Sequence, residues 1–366
     1  MYQQLKFLSL LYIMLRKNKT IKTKLPVNIS EEFKWIFKRR QNYSFPKLTV
    51  KKKKNVFLTH YGIMLKNLLP VRHSLPNAWG FKKPNAGFIF QFYRKGLEVY
   101  LVCRFGKSLK SITLDTEKKY LFVFTPWFGY FSWITESLPR IYSVEKRHKE
   151  LILILPEGYS KKKFVMNSLE MFPNLKYEII PEGIHMEIPK LILPELKPFT
   201  YTFDPKTMKD YRQKVWDYVD SLKIDIEIYD KIYVSRKMAK NRMLVNEQEV
   251  LDIFSNYNYK ELCFEEYTFF EQVYLMKNCK VLAGVHGAGF ANICFMPENA
   301  ILFEMIKEYS SYKEERPSYW RLCSAIDLNY YIQYCKPKEY GNYDLWVGVD
   351  LIADIDELKT NLTLIH

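Results

Sequence analysis

The sequence predicts an α/β protein of two Rossmann-like lobes facing a cleft, and three observations carry that expectation. Short apolar runs of strand length alternate with amphipathic helical runs, which implies parallel pairing. The alternation occurs twice, on either side of a connection punctuated by Pro194, Pro198 and Pro205. Within the second series, Lys280 to Met305 (KVLAGVHGAGFANICFMPENAILFEM) reads as strand, small-residue turn, helix start, strand and carboxylate. An open α/β sheet presents a ligand in this way, at the carboxyl ends of its strands.

Residues 1–50 are expected to form an N-terminal appendage. Their apolar block, Phe7–Leu15, precedes Arg16, Lys17, Lys19, Lys22 and Lys24. The block is too short to span a bilayer and lacks the small-residue cleavage site of a signal peptide. Two readings stay open, an interfacial helix on an anionic membrane and an ordinary packed helix.

Residues 51–200 are expected to be the N-terminal lobe. Its strands are read at Leu97–Cys103, Tyr120–Thr125, Leu151–Leu155, Tyr177–Ile180 and Leu191–Leu193, with helices at Phe131–Arg147 and Lys162–Phe172. Residues 201–366 are expected to be the C-terminal lobe, which ends in a helix. It opens with a helix at Lys206–Leu222. The series then runs through strand Ile232–Val234, helix Glu247–Phe254, strand Lys260–Cys263, helix Phe269–Lys277, and strands Val281–Ala283 and Ala300–Phe303. Asn246 with Glu249, and Thr268 with Glu271, have capping-box spacing. A helix across Pro317–Ile326 and a strand at Tyr330–Gln333 follow.

At 366 residues, with 48% hydrophobic and 16% aromatic residues, the chain is neither disordered nor collagen-like. Its formal charge of +16 is spread through runs such as Lys51–Lys54 and Lys161–Lys163. Such runs are solvated faces or attract anions: nucleotide diphosphates, phospholipid head groups or nucleic acid. The six cysteines show neither a CxxC pair nor zinc spacing. A reducing compartment follows, and the expected location is cytoplasmic, peripheral at the membrane face.

The residues that carry chemistry cluster in the second lobe. Gly287 and Gly289 let backbone approach a ligand closely, and N–H groups at a helix start favour a phosphate. Glu304, closing the next strand, is placed to accept hydrogen bonds from sugar or ribose hydroxyls. Ile232-Tyr-Val-Ser-Arg236, followed by Arg242, delivers guanidinium groups whose fork suits a diphosphate. In the first lobe, Trp133, Glu136 and Arg140 fall on one helical face, so Glu136 is either a general base or half of a structural ion pair.

Three motif readings fail or weaken. Gly106-Lys107-Ser108 lacks the earlier glycine of a P-loop, which falls on Leu101. The HGAG turn suggests a lipase oxyanion hole, but no G-x-S-x-G exists. Asp354-Ile-Asp356 has D-x-D spacing but reads as a solvated helix face. No metal site and no resident cofactor are expected.

VSRKMAKNRMLVNEQEV, FEQVYLMKNCKVLAGVHGAGFANICFMPENAILFEM, Tyr319-Trp320 and the earlier YFSWITESLPR together resemble glycosyltransferase family 61. The likeness covers roughly Phe124 to Tyr331. It implies an inverting, GT-B-like enzyme of the family that includes O-GlcNAc and xylosyl transferases. Such an enzyme moves a sugar from a nucleotide donor, UDP-linked, to a hydroxyl of a glycan or lipid-linked acceptor in surface polysaccharide or glycan synthesis. It further implies that Arg236, Arg242, His286, Gly287, Ala288, Gly289, Asn292 and Glu304 surround the nucleotide-sugar in the C-terminal lobe, with the acceptor on the side of the N-terminal lobe; Glu136 and His286 are the candidate catalytic residues. One departure stands out, because Ser132 occupies the place where the family usually has a histidine before the tryptophan. Either the base is Glu136, or Ser132 marks altered acceptor recognition or weak activity. The competing expectation is a catalytically silent or polyanion-binding module on the same lobes, with nucleic acid the less expected partner.

Overall fold

The computed structural model describes residues 19–366 apart from 46–48, 61, 72–85, 107–108, 125–128, 146, 149, 195–201, 309–317 and 339–348. The apolar block Phe7–Leu15 therefore lies outside the described residues.

A short antiparallel pair, β1 (Lys19–Lys22) and β2 (Asn42–Phe45), encloses a helix at Glu31–Lys38. The described residues of the first fifty are fastened to the far end of the chain. Val27 N–H donates to Tyr330 O at 2.9 Å, Asn28 Nδ2 to Ile332 O at 2.7 Å, and the Phe37 ring meets Trp320 edge-on.

The first large sheet has eight strands. They are β3 (Val50–Leu58), β4 (Met64–Lys66), β5 (Leu69–Pro70), β6 (Ser111–Thr113), β7 (Lys119–Leu121), β8 (Leu151–Pro156), β9 (Lys176–Ile180) and β10 (His185–Pro194). The order is β5-β4-β3-β10-β7-β8-β9, with β6 also on β10. Pairs β7–β8, β8–β9, β10–β7 and β10–β6 are parallel, whereas β3, β4 and β5 join antiparallel. The sheet is therefore mixed rather than wholly parallel. Its antiparallel half was hidden because four consecutive lysines, Lys51–Lys54, mask the two-residue period of β3; in the fold Lys52 and Lys54 are exposed and Lys51 and Lys53 half-buried.

The run Leu97–Cys103, expected as a strand, lies inside a helix at Ala86–Phe105. A short apolar run cannot be assigned by periodicity alone. Gly96 brings this helix against β4, since a β-carbon there would stand 2.7 Å from Ile63 Cγ2. The helical run after β7 is also irregular. Helical turns at Tyr130–Ser132 and Leu138–Glu145 flank a π-helical turn at Trp133–Ser137.

The helix Pro205–Asp220 opens with Asp204 as N-cap, whose carboxylate accepts from Thr207 N–H, and it links the two sheets. The second sheet comprises β11 (Lys231–Val234), β12 (Lys260–Leu262), β13 (Val281–Val285), β14 (Ile301–Lys307), β15 (Asn329–Pro337) and β16 (Leu351–Ile352). Its order is β12-β11-β13-β14-β15-β16, parallel except for β16. Helices at Glu247–Asn256 and Phe269–Asn278 follow β11 and β12. Thr268 and Glu271 form the expected capping box, but Asn246 does not cap its helix; both ends of its amide bond the backbone of Ala353.

Alternate residues of the second sheet enter two cores. Ile232, Leu282, Leu302 and Ile332 join one apolar cluster continuous with Leu121, Leu153 and Leu193 of the first sheet. Tyr233, Ala283, Phe303 and Tyr331 face a separate cluster under the Glu247–Asn256 helix and the last helix, Ile355–Ile365. A shared core of this kind keeps the two sheets in a fixed relation by removing their facing surfaces from water.

Strand order reverses between β11 and β13, because β12 lies on one side of β11 and β13 on the other. Gly284 sits at that point, inside β13 rather than in the expected turn. Its φ is +153°, and a β-carbon would stand 2.8 Å from Val234 O. Gly284→Ala should therefore destabilise the protein by about 1–3 kcal/mol through backbone strain and steric contact. A urea midpoint unchanged from wild type would contradict this close approach.

Candidate functional site

Open α/β sheets bind ligands where strand order reverses, just past the carboxyl ends of the strands. Here that point lies between Ser235-Arg236, after β11, and His286-Gly287, after β13. The chain enters the following 3₁₀ segment, Ala288–Phe295, from an extended Gly287. The expected α-helix start is thus a tighter 3₁₀ helix. In the turn, Gly287 is buried, His286 and Gly289 are partly exposed and Ala288 is exposed.

Arg236 and Gly287 are brought together directly. A β-carbon on Gly287 would lie 2.1 Å from Arg236 Nη1. Gly287 is extended, so what demands glycine there is space, not conformation. The sequence assigned that space to a diphosphate; the Arg236 guanidinium fills it. The guanidinium is held in place by Nε donating to Arg242 O at 3.1 Å and Nη2 donating to Asn241 O at 2.8 Å. Arg242 can turn its carbonyl that way because its φ is +59°, a strained value for a side-chain-bearing residue. Hydrogen bonds from Met243 N–H to Asp350 (3.0 Å) and from Leu351 N–H to Met243 O (2.8 Å) anchor this loop.

The electrostatics of the pair are unbalanced. Burial lowers the Arg236 pKa and the nearby Arg242 charge lowers it further, with Glu265 opposing from a distance. The buried Nε of Arg242 has no hydrogen-bond partner. Two partly buried arginines, one with an unbonded donor, thus lie near each other, with Glu265, Tyr319 and Glu247 as the counterbalancing groups.

His286 belongs to a relay rather than standing alone. Its Nδ1 is hydrogen-bonded to Glu304 Oε1, and Glu304 Oε2 accepts from the Tyr330 hydroxyl at 2.6 Å. Glu304 was expected at a strand end facing sugar hydroxyls. It lies mid-strand in β14, opposite Gly284, is 2% exposed and has both oxygens engaged within the protein. Its geometry orients the imidazole. Tyr319 completes the wall: its hydroxyl donates to Gly287 O at 2.6 Å, and its ring lies 5.3 Å from that of His286 and 5.6 Å from that of Phe131. Phe131 comes from the first half of the chain, so the turn is bounded by both halves.

Asn292 is drawn into the core. It is fully buried, with Oδ1 accepting from the Tyr130 hydroxyl at 2.6 Å and Nδ2 donating to Gln272 at 2.7 Å. It ties the Tyr130 segment to the second sheet. Trp133 is likewise fully buried, its indole N–H donating to Ser168 at 2.8 Å, so it does not share an open face with Glu136. The π turn breaks the simple i, i+3 relation between them. Ser132 is buried, whereas Glu136 keeps an edge open to solvent while protein surrounds it elsewhere. Burial raises the Glu136 pKa and Arg140 partly offsets this; Arg140, itself buried, donates to Val123 O at 3.2 Å.

Asp354 of the D-x-D pair caps the last helix, its carboxylate accepting from Asp356 and Glu357 N–H groups at 3.1 and 3.0 Å. Tyr130, Gln272, Tyr319 and Tyr330 received no site role from the sequence. Of these, Tyr130, Gln272 and Tyr319 did carry a signal, since each lies in a segment that resembles the family, whereas Tyr330 lies outside those segments.

The family model described as glycosyltransferase 61 matches residues 130–303. The EGF domain-specific O-linked N-acetylglucosamine transferase of Drosophila melanogaster is 33% identical over 76 residues, which span 20% of this chain and 14% of that relative.

Because Glu136 has its pKa raised in the folded state, its folded form holds a proton over a pH range in which the unfolded form has lost it. Its contribution is present below the ordinary carboxyl value of 4.5 and is lost as pH rises through the raised folded value. Glu136→Gln should therefore gain stability relative to wild type as pH rises through that window. Parallel denaturant titrations from acid to neutral pH would read this, and a pH-independent difference would contradict it.

Proposed function

We propose that this chain, whose residues 130–303 match the family model described as glycosyltransferase 61, transfers a sugar from a nucleotide-sugar donor to a hydroxyl of a glycan or lipid-linked acceptor. The observation that carries the reading is the Arg236–Arg242 pair beside the Gly287 turn, at the strand-order reversal of a parallel sheet. Its paired positive charge beside the exposed Ala288 suits a nucleoside diphosphate, and UDP is the expected nucleotide.

In this reading the two halves act as the lobes of a GT-B enzyme, and inversion follows a single displacement. Glu136 removes the proton from the acceptor hydroxyl, whose oxygen attacks the anomeric carbon from the face opposite the diphosphate. The bond from that carbon to the diphosphate oxygen breaks, and its electron pair leaves with the diphosphate. Arg236, Arg242 and the exposed N–H groups of the turn stabilise the developing charge. Glu304 and Tyr330 fix the imidazole by Nδ1, which leaves Nε2 as the ring nitrogen for the leaving group. A carboxyl raised by burial is a stronger base than an exposed one, which suits Glu136 to its part. Cytoplasmic work at a membrane face fits six free cysteines and the basic N-terminus. No described helix is long and apolar enough to cross a membrane.

A thermal-shift panel of UDP-, GDP- and TDP-linked sugars should identify one donor that raises the melting temperature. Arg236→Ala should weaken that donor by about 10–100-fold, the loss of a charge-assisted hydrogen-bond set. Glu136→Gln should keep donor affinity and abolish both transfer and donor hydrolysis. Wild-type donor affinity in Arg236→Ala, or nucleic-acid binding without donor binding, would replace this reading with the polyanion-binding one.

A further inference from the structure

A cavity of about 370 Å³ opens in the first half of the chain, between β3, β4, β6, β10 and the Ala86–Phe105 helix. It is not part of the Arg236 recess. Along β10, Leu191 pairs with Tyr120 of β7, and the chain beyond β7 leads towards Glu136. Glu187, which lines the cavity, pairs with Thr113 and Phe57 four residues earlier, roughly 13 Å back along the strand.

The lining combines one aromatic wall with polar groups that nothing in the protein uses. Among the described residues, the side chains of Asn55, Asn67, Thr113 and Glu187 and the Tyr100 hydroxyl make no hydrogen bond to another protein group. Tyr100 is held against Phe57 edge-to-face at 5.0 Å, so its ring is fixed while its hydroxyl remains available. Gly96, one turn earlier, permits this by letting the helix press onto Ile63.

A second observation is independent of the lining chemistry. Three cavity residues adopt left-handed backbone: Asn55 at φ +53°, Asn67 at +49° and Leu68 at +63°. Asn67 and Leu68 form the two-residue turn between β4 and β5, where glycine would be the unstrained choice in the second position. A leucine in that conformation is costly. It is kept where its side chain, 48% exposed, forms the rim of the cavity. Strain retained at a cavity rim points to a surface shaped for a ligand.

We propose that this cavity binds a carbohydrate chain, as a subsite separate from the transfer site. Sugar rings present C–H faces to an aromatic ring and hydroxyls to amides, hydroxyls and a carboxylate, which is the set that Tyr100, Asn55, Asn67, Thr113 and Glu187 supply. The proposal extends the transferase reading by giving a glycan a second hold on the protein, remote from the bond being formed. A second hold raises the local concentration of the chain and lets weak contacts add.

The test uses the full chain, fluorescently labelled, on a glycan array, beside Tyr100→Ala, Glu187→Gln and Arg236→Ala. Circular dichroism melting confirms that each variant is folded; Glu187→Gln is nearly isosteric and keeps the test open if Tyr100→Ala unfolds. Wild type should retain a set of glycans that Glu187→Gln and Tyr100→Ala bind about tenfold more weakly. Arg236→Ala should retain them as wild type does. Saturation-transfer NMR with the best oligosaccharide should then show contact to sugar C–H groups that is lost in Tyr100→Ala. Undiminished binding by both cavity variants, or retention of no glycan by wild type, overturns the proposal. Loss of nucleotide-sugar binding in a protein that still retains glycans through Tyr100 and Glu187 overturns the transferase reading alone.

Discussion

The guanidinium of Arg236, lodged against the α-carbon of Gly287, is the contact on which the rest of the site depends. It joins the end of β11 to the end of β13 across the reversal of strand order. Every neighbouring irregularity serves it. Arg242 accepts a left-handed backbone so that its carbonyl can hold the guanidinium, and Tyr319 fixes the carbonyl of Gly287 from the other side. Burial and the charge of Arg242 both disfavour the charged form of this guanidinium, and Glu265, Tyr319 and Glu247 oppose them.

The polar interior divides into parts with different jobs. Glu304, Tyr330 and His286 form a relay whose exposed end is the imidazole. Tyr130, Asn292 and Gln272 form a closed set that fastens the first half of the chain to the second. Buried amides satisfied on both sides specify one arrangement of the surrounding helices, because any slip would strand a donor or acceptor in apolar surroundings. Arg212 contributes in the same way, donating to the carbonyls of Met296 and Ile326 at 3.0 and 3.2 Å and pairing with Glu298.

Much of the second sheet was legible in the sequence, and for a physical reason. Parallel strands buried on both faces are short continuous apolar runs, and the helices between them carry clear start signals such as Thr268 with Glu271. The first sheet was harder. Its β3 is written largely in lysine, and the helix Ala86–Phe105 contains an apolar run of strand length. At the site, the sequence located the turn but not the directions of its side chains. Glu304 lies inside β14 rather than at its end because the strand continues to Lys307, four residues past the expected end; that extension comes from pairing with β15, which no local pattern reports. Asn292 turned inward because its segment is a 3₁₀ helix, whose three-residue period presents different faces from those of an α-helix.

The π-helical turn at Trp133–Ser137 carries a consequence for how this chain can vary. Such a turn is an α-helix with one residue too many, and the surplus is absorbed between two fixed anchors, the indole of Trp133 on Ser168 and the guanidinium of Arg140 on Val123. Removing a single residue there would restore a regular helix and swing the carboxylate by about 100° about the axis while both anchors kept their sockets. Length, more than residue identity, is therefore the variable by which this segment could re-aim its acid without rebuilding the core around it.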